Sequence, residues 1–369
     1  MHLSDQHVRW FRLRRSGLDA PFATPEDVTR ALAGVQAQIL PAAGLALWNR
    51  TNRLTYVAFD DLLHQRRSLV KLWGQRGTLH LYASHEWPLL HAALAIQRTW
   101  WGRQVERNGG DADDYQATIL RVAALLRERG TLGRRDLRAA EFGLEEELFS
   151  GWGGIFADLV RQGYACHAGQ SAGESRFAHR EHWLPDLDWT PPPAETANIE
   201  LTRRYLKTYG PATIQDVAYW RGAKVGNVRR WIAALGDEVA ELDLNGRSLL
   251  VLRADLEALA APPPARKAWP VRLLGRFDPL LLGIKDKSWL IDEPFYKRVW
   301  RPAGHIEGTI LEYGRIAGVW RYDRAARGLS VTVTPFAPLS RHVWAAVEQQ
   351  AEGIARFFGV KLEQMVANP

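Results

Sequence analysis

Three hundred and sixty-nine residues exceed what one compact core needs and suggest two to four domains. The chain is 46% hydrophobic and 24% charged with a single cysteine, and no apolar run nears the roughly 18–20 residues of a membrane span; this excludes a disulfide framework, a multi-cysteine zinc or iron–sulfur site and a spanning helix. Forty-eight Lys and Arg against 41 Asp and Glu leave a formal charge of +7, which favours an anionic partner.

The first ten residues lack an apolar stretch behind a basic head, so the chain is expected in the cytoplasm rather than secreted. Residues 3–15 have helical spacing. Thr24-Pro25, with Asp27 at the third position, caps and starts a second helix, and Pro41 begins a third. Residues 70–82 read as strand. Residues 4–82 thus form a first candidate copy of a helix–helix–helix–hairpin module.

A second copy follows. Residues 115–129 are helical, with Ile119, Val122, Ala123 and Leu126 on one face. Gly130-Thr131-Leu132 leads into a short helix, 151–161 supplies a third, and 163–179 a hairpin with Gly169, Ser171 and Gly173 at its tip. Pro191-Pro192-Pro193 and Pro262-Pro263-Pro264 read as stiff boundaries around the third copy. There, 200–208 is a helix stopped by Gly210-Pro211, Thr213 with Asp216 caps 214–220, and 224–235 carries Lys224, Arg229 and Arg230 on its outer face. Asn245-Gly246 is a two-residue hairpin turn between 239–244 and 248–252. Three helices and a hairpin make a winged helix. The expected fold class is α+β, with tandem winged-helix (helix-turn-helix) domains at 1–85, 86–190 and 195–260 and a β-rich C-terminal domain at 265–369. In that last domain 308–312 and 315–321 form a hairpin, 328–335 adds a strand, and an amphipathic helix closes at 340–358.

The net charge is concentrated. From Arg266 to Arg327 there are thirteen basic and seven acidic residues, an excess of six. The bases alternate with Trp289, Tyr296, Trp300, Tyr313, Trp320 and Tyr322, a pattern suited to nucleic acid, with Lys285, Lys287, Lys297, Arg298, Arg301, Arg315 and Arg321 as contact candidates. Of the sixteen tryptophans, Trp289, Trp300 and Trp320 are among those in this stretch; Trp48, Trp73, Trp152 and Trp231 are expected in the core.

Catalytic constellations are sparse. There is no P-loop or dinucleotide-type glycine loop. Cys166 falls in a predicted wing, and His179-x-x-His182, His80 and His85 read as structural. Asp60-Asp61 and Asp113-Asp114 read as helix caps rather than paired catalytic acids. One polar element stands apart. Gln36-Ala37-Gln38 lies between Gly34, which ends one helix, and Pro41, which begins another, amid Leu32, Val35, Ile39 and Leu40. Extended chain turns residues i and i+2 to one side. The two carboxamides either satisfy local backbone groups, which periodicity alone favours, or hold a water or a base edge at an apolar pocket.

The run Phe11-Arg12-Leu13-Arg14-Arg15-Ser16-Gly17-Leu18, then Gly34-Val35-Gln36-Ala37-Gln38, then Arg76-Gly77-Thr78-Leu79-His80-Leu81 resembles the bacterial winged-helix DNA-binding family of the AlkZ and YcaQ type. Gly275-Arg276-Phe277-Asp278-Pro279 with Leu282-Gly283, and Gly314-Arg315-Ile316-Ala317-Gly318 with Trp320, resemble it too, so the likeness runs over nearly the whole chain. The resemblance implies a monofunctional DNA glycosylase in base excision repair. It further implies a C-shaped molecule with a basic concave surface, a hairpin gripping double-stranded DNA, and catalysis by Gln36 and Gln38. Hydrolysis of this kind needs no cofactor and no metal, and the family likeness implies a monomer in the cytoplasm, at the nucleoid. A glutamine amide is a weak base, so cationic lesions such as N7-alkylguanine and N3-alkyladenine, including bulky or crosslinked ones, are the expected substrates. The alternative is a non-catalytic winged-helix DNA-binding protein or transcriptional regulator, with Lys224, Arg229 and Arg230 reading bases.

Overall fold

The helix Asp5–Arg15 is amphipathic on two sides. Val8 and Phe11 pack with Leu244, Leu249, Val251 and Leu259 of the segment that holds the third hairpin. Leu13, with Leu18 just beyond the helix, packs with Trp269, Leu274, Leu280, Leu281 and Leu311 of the C-terminal part. One short helix therefore joins two apolar clusters that lie more than 200 residues away in sequence. The computed structural model describes residues 3–94 and 99–368. The chain divides into two compact units, residues 1–59 with 199–369, and residues 60–198.

In the first unit, Thr24 caps Pro25–Ala31, its hydroxyl accepting from the Asp27 N–H at 3.1 Å, as expected. The helix Leu40–Trp48 is apolar on every side, and Ala42 through Leu47 are buried. Such a helix has no solvent face and belongs in a core. Gly44 lets it approach its neighbours: a Cβ there would stand 2.9 Å from the Phe357 ring.

The third module follows in the expected order. Helices Ala194–Tyr209, Ile214–Arg221 and Val225–Leu235 precede the antiparallel hairpin Val239–Leu244 and Arg247–Leu252. The first helix starts earlier than its apolar spacing suggested. Thr213 and Asp216 form the reciprocal cap, and Gly222 ends the second helix with a left-handed φ of 67°. Beyond it lies a five-stranded sheet in the order Lys361–Ala367, Gly328–Pro335, Arg315–Arg324, Gly308–Glu312, Arg272–Leu274. The pairs are antiparallel except Gly328–Pro335 with Lys361–Ala367, which the helix Arg341–Phe357 connects as a crossover. Two of these strands were not expected. Arg272–Leu274 is only three residues long, and Lys361–Ala367 is an edge strand whose exposure does not alternate.

In the second unit, Leu69–Trp73 and Leu79–Ala83 pair antiparallel around a tight turn at Arg76 and Gly77. The helix Ala112–Arg129 then precedes the strand Thr131–Leu132, the helices Arg134–Ala139 and Ile155–Arg161, and the hairpin Ala165–Ser171 and Glu174–His179. Thr131–Leu132 pairs with the second hairpin strand. Ala212 bridges Leu250 in the same way in the first unit. Both segments thus share an element order and a pinning bridge ahead of the second helix.

Candidate active site

The segment between Pro25–Ala31 and Leu40–Trp48 is built to stay extended. Ala33 and Gly34 take left-handed φ values of 49° and 111°, and the Gly34 N–H donates to the Thr29 carbonyl at 2.8 Å, which reverses the chain. The Gly34 value is one that a side chain rarely adopts. Val35–Gln36 is then a short strand, and Ile39 is the N-cap of the next helix with Pro41 in its first turn. As expected, the two glutamines face the same way. Gln36 is buried and Gln38 exposed, and the Gln36 Nε2–H donates to Gln38 Oε1.

A pocket of about 570 Å³ is lined by the next residue of this segment and by neither glutamine. Ile39, the residue after Gln38, stands on its wall with Ala42 and Leu45 of the following helix. The opposite wall comes from the C-terminal sheet: Gly275, Arg276, His305, Glu307, Gly308, Trp320, Arg321, Tyr322 and Asp323. Gly275 sits closely against the helix, since a Cβ there would lie 3.3 Å from the Ala42 carbonyl oxygen. The walls are joined by a fully buried ion pair. Arg50 Nη1 and Nη2 meet Asp278 Oδ2 and Oδ1 at 2.8 and 2.7 Å, while Nη1 also donates to the Ala46 carbonyl and Nε to that of Ser16. Asn49 Nδ2 donates to the Leu273 carbonyl at 2.9 Å. Asp278, part of the Gly-Arg-Phe-Asp-Pro motif, is thus an anchor under the site.

Polar groups in the pocket form two sets. Arg276 Nη2 donates to His305 Nδ1 at 2.8 Å, which places the imidazole proton on Nε2. Glu307 accepts from Arg321 through both oxygens, at 2.6 and 3.2 Å, and from Arg301 at 3.2 Å. Burial opposes ionisation of Glu307, but hydrogen bonds and charge from Arg321, Arg301 and Arg276 outweigh it and hold the carboxyl below its usual range. The sequence reading missed Glu307 and His305. The available signal was weak: Glu307 is one of seven acids within a basic stretch.

The candidate DNA contacts divide by burial. Lys285, Lys297, Arg298, Arg301 and Arg321 are exposed, as are Lys224, Arg229 and Arg230 on the third module. Arg315 is half-buried, paired with Asp292 at 2.5 Å and donating to the Ser288 and Trp289 carbonyls. Lys287 is buried, its ammonium donating to the Ile284 carbonyl over the Tyr219 and Trp300 rings, so it does not stand among the exposed bases. Trp320 is also buried, its indole N–H on the Leu274 carbonyl at 2.8 Å, while Trp289 lies under the Arg12 guanidinium at 4.6 Å. Trp152, expected in the core, is 84% exposed because it lies in the Gly-rich turn before Ile155–Arg161. Trp48 is half-buried against Phe357.

The remaining polar candidates serve structure. Burial raises the Cys166 thiol and holds the His80 imidazole down at about 3. His179 caps Arg180–Trp183, and no group of three metal-ligating residues exists among the described residues. His85 lies in the short helical turn Ser84–Glu86. The acidic doublets are not caps. Asp111 caps Ala112–Arg129 with Asp113 and Asp114 in its first turn, and Asp60 and Asp61 lie inside Tyr56–His64 beside His64 and Arg66.

A sequence profile of the family described as DNA glycosylase AlkZ-like matches residues 29–357. The interstrand DNA cross-link repair glycosylase of Streptomyces sahachiroi is 33% identical over 384 aligned residues, covering 98% of each chain. The solved structure of Streptomyces sahachiroi DNA glycosylase AlkZ superimposes with a TM-score of 0.84 at 29% identity and covers all of both chains. A model of the family that spans the Gln-x-Gln segment and the pocket walls, with one such relative over nearly the full length, places this chain in the AlkZ-like family of DNA glycosylases, hydrolases of N-glycosyl bonds.

Proposed function

We propose that this chain is a monofunctional glycosylase for cationic N-alkylated purines in duplex DNA, N7-alkylguanine and N3-alkyladenine foremost, with bulky adducts and crosslinks attached at the same atoms. The observation that carries the reading is the paired carboxamides of Gln36 and Gln38, on a segment whose next residue, Ile39, stands on the pocket wall. The Gln38 carbonyl has a second lone pair, which can accept from a water and aim its oxygen at the anomeric carbon. The water oxygen then bonds to C1′ as the C1′–N bond breaks. The bond's electron pair goes to the base, which leaves neutral because it was already cationic, and the water's proton passes to solvent. No strong general acid or base is required, so positioning and electrostatics suffice.

DNA is gripped, in this reading, by Lys285, Lys297, Arg298, Arg301, Arg315 and Arg321 and by Lys224, Arg229 and Arg230. The chain is organised as three winged helices, at 1–85, 86–190 and 195–260, followed by the β-rich 265–369, and these bases lie in the last two segments. The shared element order and bridge of the second and third modules support that organisation. The protein acts as a monomer. The relative's description as a crosslink repair glycosylase supports the inclusion of bulky lesions.

The test is base release from methylated duplex DNA without added metal. N7-methylguanine should appear, leaving abasic sites that are cleaved only after alkali. Absence of any released alkylbase at micromolar enzyme overturns the reading.

A further inference from the structure

We infer that Glu307 supplies the fixed negative charge that stabilises the cationic sugar in the pocket, a role the two neutral glutamines cannot fill. The inference rests on the glycosylase reading above and deepens it. Breaking an N-glycosidic bond before the water bond is complete places positive charge on C1′ and the ring oxygen. Carboxamide dipoles give partial compensation, and a full charge close by in a low-dielectric pocket gives more. Glu307 is the buried carboxylate on the pocket wall, with its side chain 4% exposed. Asp323, the other acid lining the pocket, is exposed on strand Arg315–Arg324.

The two arginines that hold Glu307 differ from it in their surroundings. Their side chains are 49% and 63% exposed for Arg301 and Arg321. Solvent therefore screens these two cations more than it screens the carboxylate, while the third cation near it, the half-buried Arg276, hydrogen-bonds His305. Arg301 and Arg321 face outward on the basic stretch, where backbone phosphates would meet them. A guanidinium has five N–H donors in a fixed fork and can hold Glu307 on one edge while meeting a phosphate on another. Phosphate contact would further offset the arginine charge and leave the Glu307 charge to act on the pocket. DNA binding and charge stabilisation would then be coupled through Arg301 and Arg321.

The inference is tested by binding rather than turnover. One duplex carries a pyrrolidine abasic-site analogue, whose protonated ring nitrogen stands in for the developing sugar cation; the other carries the neutral tetrahydrofuran analogue. The native protein should prefer the pyrrolidine duplex by about tenfold or more. Glu307→Gln, which keeps a hydrogen-bond acceptor for Arg321, should bring the preference to within about threefold, and Glu307→Asp should restore most of it. If Glu307→Gln does not fold, the neutral pair Glu307→Gln with Arg321→Gln takes its place with the same expected loss. An unchanged preference in the charge-removing variant, or no preference in the native protein, overturns the inference. A native protein that releases alkylbase yet shows either of those results sinks this inference alone; one that releases none sinks the glycosylase reading.

Discussion

Arg50 and Asp278, 228 residues apart in sequence, form a bidentate ion pair with no solvent exposure on either side chain. Asp278 Oδ1 also accepts from the Leu280 N–H at 3.0 Å, and every guanidinium nitrogen of Arg50 has a partner. Such a pair is weak as a source of stability but costly to break from one side, because the orphaned charge stays buried. Asp278→Ala should destabilise the protein by about 3–5 kcal/mol in denaturant titration. It should also lower activity at temperatures where the fold persists, since helix Leu40–Trp48 and the Gly275 turn form facing walls of the pocket. A loss below about 1 kcal/mol would mean that the site's two walls are held by packing and the Asn49–Leu273 hydrogen bond rather than by the ion pair.

The glutamines make a different prediction. Gln36→Ala with Gln38→Ala removes the amide pair without touching the Arg50–Asp278 anchor. Single-turnover base release should fall by about a hundredfold or more, while affinity for undamaged duplex stays within a few fold. Full activity in the double variant would remove the pair from the mechanism.

In the second unit, His80 is buried beside Tyr82, and its Nδ1–H donates to the Thr78 carbonyl at 2.9 Å. Burial first, then the charge of Arg76, brings its pKa from 6.5 to about 3. The unfolded chain therefore binds a proton that the folded chain refuses between those values. Stability is fully present above about pH 6.5 and is lost as pH falls toward 3, with a slope of at most about 1.4 kcal/mol per pH unit from this residue. His80→Asn keeps an N–H donor and removes the titration. Its unfolding free energy should fall less steeply between pH 6 and 4 than that of the native protein, measured by urea titration at each pH. Equal slopes would show that His80 does not carry the effect.

The basic residues should separate by salt dependence. Lys224 and Arg229 are exposed, and no ion pair holds either among the described residues. If both meet phosphates, replacing them by Gln should weaken binding equally across sequences and reduce the slope of log affinity against log salt by about 0.9 for each. Lys287→Met should leave that slope unchanged, because its ammonium is buried against Ile284. A strong sequence preference lost in the Lys224 and Arg229 variant would instead mark base reading.

Local chemistry was legible in the sequence because its causes lie within a few residues. Thr24 with Asp27, Thr213 with Asp216, Asn245-Gly246 and the extended Gln36-Ala37-Gln38 segment each depend on a cap, a turn or a φ that a short window specifies. The regular order of helices and hairpin was legible for the same reason, as apolar spacing repeats every few residues. The likeness to AlkZ-type proteins, resting on motifs in order along the chain, agreed with the family match. Tertiary structure alone decided which side chains face water and which face each other. In a window of sequence Lys287 reads as a surface residue and Trp152 as a core residue, yet the first is buried and the second 84% exposed. Of the basic contact candidates, Arg301 and Arg321 meet Glu307 and Arg315 meets Asp292, pairings that the charge count does not reveal. Burial and ion pairing depend on neighbours brought from far along the chain, as Asp278 is brought to Arg50, and no local pattern contains them.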